Sequence, residues 1–552
     1  MRIDDLYYFI DDRNHKICDK NYYYLGVVSQ VYRTNCVVQV ENLSWLNVRR
    51  IRTEVYYPNS ISYYVVIESS IGIFIGEVYQ NKFPDTGSVH KTLLNEKYEE
   101  VFPDLSVDIK SVIIGDDKNF VPVGFNNVGV TDKVYIANQK AVELYVKSLE
   151  LSGSYDRDKS SEKLMSFANN EQFDNVEISL YPETLFDRHL MVIGTTNSGK
   201  STTSLSVLDS LIDKDIKMLV IDPTGEYSQS FIYDNQVVKY TLGKDVYLDA
   251  GRISIPQWAM LFEANDASQP PALESAIKSL RYQMKIDKGE EVYKKINKTI
   301  LDVDKEISSL TKNDIKFNIN LLPKQLEEEA VQINKNTEKY EKSAFQYNNK
   351  HWLIEKVEYK LMNTSLVNFF TKSINETNDL LNVVDEFIKN DKSLYLNASE
   401  ISIEDGVGSM IIDVICNYII NQNISKENLA FVIFVDEVHR YTKDISNSGY
   451  QTALTNIARE GRKKGIYLFL TTQSPQDVPD ILLSQVGSLI VHRLTHKNEL
   501  DAIRNHVSED LLKIVPKLTQ GEAVLTSINL LSDLKIKVKK CNRSHDNQTK
   551  ML

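Results

Sequence analysis

The sequence predicts an α/β core, interrupted by a helical insertion and preceded by a small all-β unit. Three observations carry this. Short Val-, Ile- and Tyr-rich runs recur up to about residue 150. From about 176 an apolar run ends in a glycine-rich turn, then a helix-like segment, then another apolar run. After about 390 the runs NLAFVIFVDE, GIYLFLTTQ and GSLIVHRL resume that pattern.

Taken in order, LGVVSQVY, NCVVQVE, YYVVIES and GIFIGEVY read as strands, punctuated by Pro58-Asn59 and Pro103-Asp104. Several short strands at that spacing suggest a small barrel or sandwich over 1–150. The polar run SGSYDRDKSSEK marks a linker over 151–175. DRHLMVIG, then STTSLSVLDSLIDK, then KMLVIDP form a strand–helix–strand unit and open the first part of the core, 176–271. Over 272–390, Val292, Ile296, Ile300, Val303, Ile307 and Leu310 fall at helical spacing, as do Leu326, Ala330, Ile333, Thr337 and Tyr340 after Pro323. These predict a heptad-like helical hairpin, either a solvated insertion or a grip for a partner or DNA. The second part of the core is expected over 391–540, with a basic, loose tail at 541–552.

Bulk properties narrow the class. At 552 residues the chain should hold two to four domains, and 42% hydrophobic with 25% charged residues is ordinary for a globular protein. A net charge of −12 argues against a uniformly basic surface, though not against a locally basic channel. Cys18, Cys36, Cys416 and Cys541 are scattered, which disfavours a zinc or redox motif and fits a reducing compartment. The charged N-terminus is not a signal peptide and no apolar run reaches membrane-spanning length, so a cytoplasmic protein is expected.

The chemistry starts at Gly194-Thr195-Thr196-Asn197-Ser198-Gly199-Lys200-Ser201, which meets the pattern G-x-x-x-x-G-K-[ST]. Glycines let consecutive backbone N–H groups turn inward on phosphate, and the helix that follows, with Thr202 in its first turn, presents its positive end. Lys200 would reach the β- and γ-phosphates and the Ser201 hydroxyl would ligate Mg²⁺, so ATP and Mg²⁺ are the expected ligands. The run Phe431-Val-Ile-Phe-Val ends in Asp436 and Glu437, a buried strand finishing in two acids. Asp436 would hold the Mg²⁺ shell and Glu437 would polarise the attacking water. Gln473 ends another apolar strand, where it either positions water or is a satisfied amide. Asp222 either supports Mg²⁺ or caps the next turn. Arg188, Arg459, Arg462 and Arg493 are candidates for an arginine supplied to a neighbour's site. His439 and His492 have no partner at metal-ligand spacing and suit core or surface roles.

These residues together resemble the HerA-type ATPases of the HerA–FtsK group. The resemblance rests on Arg188-His189, GTTNSGKS, IDPTGEY at 221–227, FVDEVHRY at 434–441, REGRKKGIYLFLTTQSPQDVP at 459–479, LLSQVGSLIVHRL and KLTQGEAVL. It implies an N-terminal β-barrel, a RecA-like core and a homohexameric ring that moves along double-stranded DNA. It also implies Glu437 as catalytic acid, Arg462 as the trans-acting arginine and Arg188 as a second arginine near the nucleotide. Thr196-Asn197 departs from the small residue and glycine usual there, but Asn tolerates left-handed backbone. Such ATPases work with effectors, a nuclease or a sirtuin-type NAD-hydrolysing protein, in DNA-end resection or antiphage defence. Richness in Asn, Lys, Ile and Tyr suggests an AT-rich bacterium and so favours defence, by association only. The competing expectation is an ATP-regulated ring scaffold that activates its effector without DNA transport; a conjugation-type DNA pump would call for a membrane segment. Lys443, Lys463 and Lys464 are candidate channel residues.

Overall fold

The computed structural model describes residues 1–10, 15–83, 102–151, 164–231, 234–264, 268–371, 378–401, 405–422, 430–442 and 452–543. Lys443, the run SGSYDRDKSS and the tail beyond Arg543 lie outside them. The chain divides into two units, 1–184 with 522–539, and 185–521 with 540–552.

The first unit contains a closed barrel. Its strands are β1 (Tyr24–Val31), β2 (Asn35–Val40), β3 (Tyr64–Glu68), β4 (Gly72–Lys82), β5 (Asp104–Ile114) and β6 (Lys133–Ile136), in the order β6-β1-β2-β5-β4-β3. Closure needs sharp curvature, and register shifts at Val28/Gln30 and Ile75/Gly76 supply it. A Cβ on Gly76 would lie 2.5 Å from Val107 Cγ1, so only glycine fits that bend. Leu25, Val38, Val65, Phe74 and Val107 fill the inside. Helix α1 (Gln139–Lys147) caps it, stacking Tyr145 near Tyr64 and Phe120. This settles the barrel-or-sandwich alternative as a barrel.

The domain boundaries differ from the sequence expectation. Within the expected linker, Met165–Asn170 is a strand, β7. It pairs with β8 (Glu177–Leu180) and with Leu534–Val538, which the sequence had assigned to the core. Its buried side chains, Met165, Phe167, Ala168 and Asn170, do not alternate with exposed ones, and its pairing depends on a distant segment, so local periodicity does not reveal it. The tail expected at 541–552 starts anchored. Arg543 pairs with Asp209 and Asp234, the latter at 3.0 Å, and donates to the Ser230 carbonyl at 3.2 Å.

A buried charge cluster ties the first unit together. Glu77, mostly shielded from solvent, sits between Lys110 at 3.4 Å and Lys535. Burial pushes its carboxyl up, but the two ammonium groups outweigh that and hold it below its ordinary value. A depressed folded value contributes stability above the unfolded value, about 4.3, that is lost as pH falls through the folded one. Glu77→Gln should therefore melt below wild type at pH 7, with the gap closing under acid. A gap constant from pH 7 to 3 would contradict this.

The second unit is a parallel sheet flanked by helices. Its strands are β9 (Leu190–Ile193), β10 (Lys217–Asp222), β11 (Val237–Thr241), β12 (Ser393–Asn397), β13 (Phe431–Val435), β14 (Ile466–Thr472) and β15 (Ser488–Val491), ordered β15-β9-β14-β13-β10-β12-β11. Its central strands are wholly buried, which explains their unbroken apolar runs. Helix α2 (Lys200–Asp213) follows β9. Strand β14 lies between β9 and β13, so the loops after all three meet at one edge.

The insertion is not a helical hairpin. It contains α3 (Gln269–Lys285), α4 (Ile300–Ser308), α5 (Leu322–Glu328) and α6 (Ala344–Leu361). Residues 286–299 are largely turn and extended, and Ile333 and Tyr340 are cross-strand partners in a two-stranded hairpin. The physical reason is polar. Tyr293 N donates to Gln325 Oε1 at 2.7 Å and the buried Lys295 pairs with Glu329, which hold 293–295 extended. Asn297, with φ 68°, ends any helical path there.

Candidate active site

The phosphate loop leaves the C-terminal end of β9. Gly194 N donates to Thr472 O at 3.2 Å, and Thr195 N to Arg493 O at 3.1 Å, so both neighbouring strands anchor the loop. Ser198 N and Oγ both donate to Thr195 O, closing the turn. Asn197 takes φ 63°, as its side chain permits, and Gly199 takes φ 111° at the cap of α2. A Cβ on Gly194 would lie 2.5 Å from Ser198 Oγ and 2.6 Å from His492 Cβ. Thr196 and Asn197 are exposed at the tip, while Ser201 and Thr202 sit in the first turn of α2. A left-handed turn opening onto a helix start is the cradle a triphosphate requires.

Opposite the loop, β13 delivers the two acids. Asp436 is buried, and its Oδ1 accepts from the Thr471 hydroxyl. Burial raises its carboxyl well above the usual range, with Glu226 and Glu437 adding to that and Lys200 opposing it. A carboxylate held in so dry a place favours a bound cation. With the Ser201 hydroxyl in the first turn of α2, these oxygen donors would suit Mg²⁺. Among the described residues no group of three or more His, Cys, Asp or Glu side chains is placed to hold a metal unaided.

Glu437 sits in left-handed backbone, φ 48° and ψ 49°, which costs a non-glycine residue about 1–3 kcal/mol. The surroundings hold it there. Its N–H donates to Thr471 Oγ1 at 2.9 Å, and Gln473 N donates to Glu437 Oε2 at 3.2 Å. His439 Nδ1 lies 3.2 Å from the same oxygen and 3.1 Å from Thr472 Oγ1. Oε1 pairs with Lys200 Nζ. Burial alone would raise this carboxyl, but the hydrogen bond with His439 and the Lys200 charge bring it down to about 2. Glu437 is thus ionised, as a group polarising water must be. Gln473 completes this side, its Oε1 accepting from Thr196 Oγ1 at 3.1 Å.

Asp222 does not join the metal site. Its two oxygens accept from Thr224 N, Thr224 Oγ1, Gly225 N, Tyr227 N and the Tyr395 hydroxyl. Five donors saturate a carboxylate. Asp222 therefore shapes the turn after β10, and the metal role open at the sequence level is withdrawn.

Arg462, Arg188 and Arg459 lie at the other edge, whereas Arg493 follows β15 beside the phosphate loop. Arg462 follows helix α7 (Ala453–Glu460) and precedes β14, while Gln473 directly follows that strand. Seven strand residues at roughly 3.3 Å each separate them by about 20 Å. Arg462 pairs with Asp187 at 2.7 Å, and exposed Arg188 precedes β9. Neither arginine reaches the phosphate loop of its own chain. Arg493 and Arg459 are exposed, and Lys464 Nζ donates to Ile420 O.

Sequence reasoning missed three supports. His492 is fully buried and bonds Thr203 Oγ1 at 2.7 Å, wedging the loop from below. Thr471 links both acids. Gly521 N donates to Ser198 O at 3.1 Å, and a Cβ on Gly199 would lie 3.0 Å from that nitrogen. The threonines beside Gln473 were the visible signal for Thr471; His492, expected in a core or surface role, is in the core, and nothing local marked its bond to Thr203.

Family models described as "Helicase HerA, central domain" and "Helicase HerA-like C-terminal" match residues 168–419 and 423–531. A probable helicase of Methanocaldococcus jannaschii is 25% identical over 66% of this chain and 68% of its own length. A DNA double-strand break repair helicase HerA of Sulfolobus acidocaldarius is 24% identical over 64% of each chain. A second probable helicase of M. jannaschii, 26% identical, is covered over 62% of its length, so the chain spans about two thirds of the relatives it matches. Among solved structures, a bacterial conjugative coupling protein, TrwB, aligns at TM-score 0.46 and 12% identity over 71% of this chain and 92% of the other.

Proposed function

The chain belongs to the HerA-type ATPases of the HerA–FtsK P-loop group, and on that premise we propose that it is a homohexameric, Mg²⁺- and ATP-dependent double-stranded DNA translocase that assembles with an effector enzyme. The observation that carries this reading is the division of the site. The phosphate loop, Asp436, Glu437 and Gln473 occupy one sheet edge, while Arg462 and Arg188 occupy the other. A site so divided is completed by a neighbouring copy, and a ring gives every copy a neighbour.

In this reading ATP displaces Glu437 from Lys200. The ammonium turns to the β- and γ-phosphates, and Glu437 is freed to orient and polarise water with Gln473. Ser201 and Asp436 would hold Mg²⁺, which when bound neutralises charge on the phosphate oxygens. The effector is a nuclease or a sirtuin-type NAD hydrolase, and antiphage defence is the setting the sequence composition favours.

The Lys200–Glu437 pair also motivates the second reading, a ring scaffold in which ATP sets an effector-activating state without transport. ATP turnover measured with and without double-stranded DNA separates them. Translocation predicts stimulation that fades steeply with salt. Turnover indifferent to DNA at low salt, with effector activity still ATP-dependent, would leave the scaffold standing. Among the described residues no helix is long and apolar enough to cross a membrane.

A further inference from the structure

Helix α6 in the insertion has two apolar faces. The inner one buries Leu353, Ile354 and Val357. The outer one exposes Phe345 at 70%, Trp352 at 71%, Tyr359 at 64% and, just past the helix end, Met362 at 75%. Single exposed apolar residues are ordinary. Here three aromatics stand seven residues apart, which places them on one line along the helix. That line is about 21 Å long and exposes on the order of 400 Å² of aromatic surface.

A cavity of about 400 Å³ opens at the N-terminal end of the helix, beneath Tyr347 and Asn348. Ile296, Ala330 and Val331 give it apolar walls, and Glu327, Glu328 and Lys342 are its charged lining, two acids to one base. Glu328 Oε2 is buried there with no hydrogen-bond partner among the described residues. A buried carboxylate oxygen left unbonded is costly, and a cation from outside would satisfy it. One flank of the aromatic line carries Glu355 and Glu358, both exposed. Acids outnumber bases at both places, Lys342 being the one cation among the described residues that line the cavity, which disfavours DNA phosphates and anionic lipid and matches a basic protein surface.

We propose that the outer face of α6 and the adjoining cavity form a groove for one amphipathic helix of a second protein. That helix is apolar along a seven-residue line, basic on the edge facing Glu355 and Glu358, and places a lysine or arginine against Glu328. A helix is the element whose side chains recur at the pitch of this ridge. The proposal rests on the reading that the chain assembles with an effector.

The test uses the full chain co-expressed with the tagged product of the neighbouring gene. A benzophenone crosslinker at position 359 should join the chain to one helical segment of that protein. Trp352→Glu combined with Tyr359→Glu should reduce its capture at least about tenfold, and Glu328→Gln severalfold, with ATP turnover and melting unchanged. Trp352→Phe should keep capture. If wild type captures the protein and the double variant captures it equally, the groove is overturned while the effector reading survives. If wild type captures nothing, both fall. A crosslink only to a second copy of this chain overturns the groove in favour of a self-interface.

Discussion

Arg462→Ala is expected to lower ATP turnover by about 10³- to 10⁵-fold, the range for an arginine that stabilises charge at a transferring phosphoryl group. The loss appears although Arg462 stands about 20 Å along β14 from its own loop's side of the sheet. Arg462 also pairs with Asp187, so the change leaves a shielded carboxylate without that partner. Arg462→Lys separates the two effects. Lysine keeps a charge for Asp187 but lacks the planar fork, so stability should hold while turnover stays low. The decisive measurement mixes Arg462→Ala chains with Lys200→Ala chains, each inactive alone. Sites pairing an intact loop with an intact arginine form only between unlike subunits, and activity should partly return. No recovery despite confirmed mixing would show that Arg462 does not act across subunits.

Glu437→Gln is expected to lower turnover by about 10²- to 10⁴-fold, the usual contribution of a positioned general base. Nucleotide binding moves the other way. In the wild type, ATP must break the Lys200–Glu437 pair before Lys200 meets phosphate. Glutamine keeps the shape and still accepts from Gln473 N, but no longer holds the ammonium by charge. The affinity for a non-hydrolysable ATP analogue should therefore be equal or tighter, read by titration calorimetry. Wild-type turnover in this variant would remove Glu437 from the catalytic role.

The parts legible in sequence are those whose chemistry is written locally. The phosphate loop needs two glycines, a lysine and a hydroxyl within eight residues, and Asp436-Glu437 needs one apolar strand before it. Even the left-handed geometry at Asn197 follows from the residue type. What was hidden depends on residues distant in sequence. His492 reaches Thr203 across 289 positions. Asp222 looked available because its five donors are mostly backbone N–H groups, which every sequence carries. The insertion misled because spacings of three and four also suit a bent chain held by Gln325 and the Lys295–Glu329 pair. Strand β7 was invisible for a similar reason, since its partner at Leu534–Val538 lies more than 360 positions away.

The placement of Gln473 and Arg462 at opposite ends of one strand gives the proposed ring a sense of rotation. A strand is stiff along its length, so a shift of Gln473 on phosphate release is carried to Arg462 as a rigid displacement. Each subunit then reads its own site at one end of β14 and reports to a neighbour at the other. If every copy presents the same end of β14 to its neighbour, as a rotationally symmetric ring requires, the report would travel one way round, and a substitution that softens β14 should uncouple successive firings before it slows any single one.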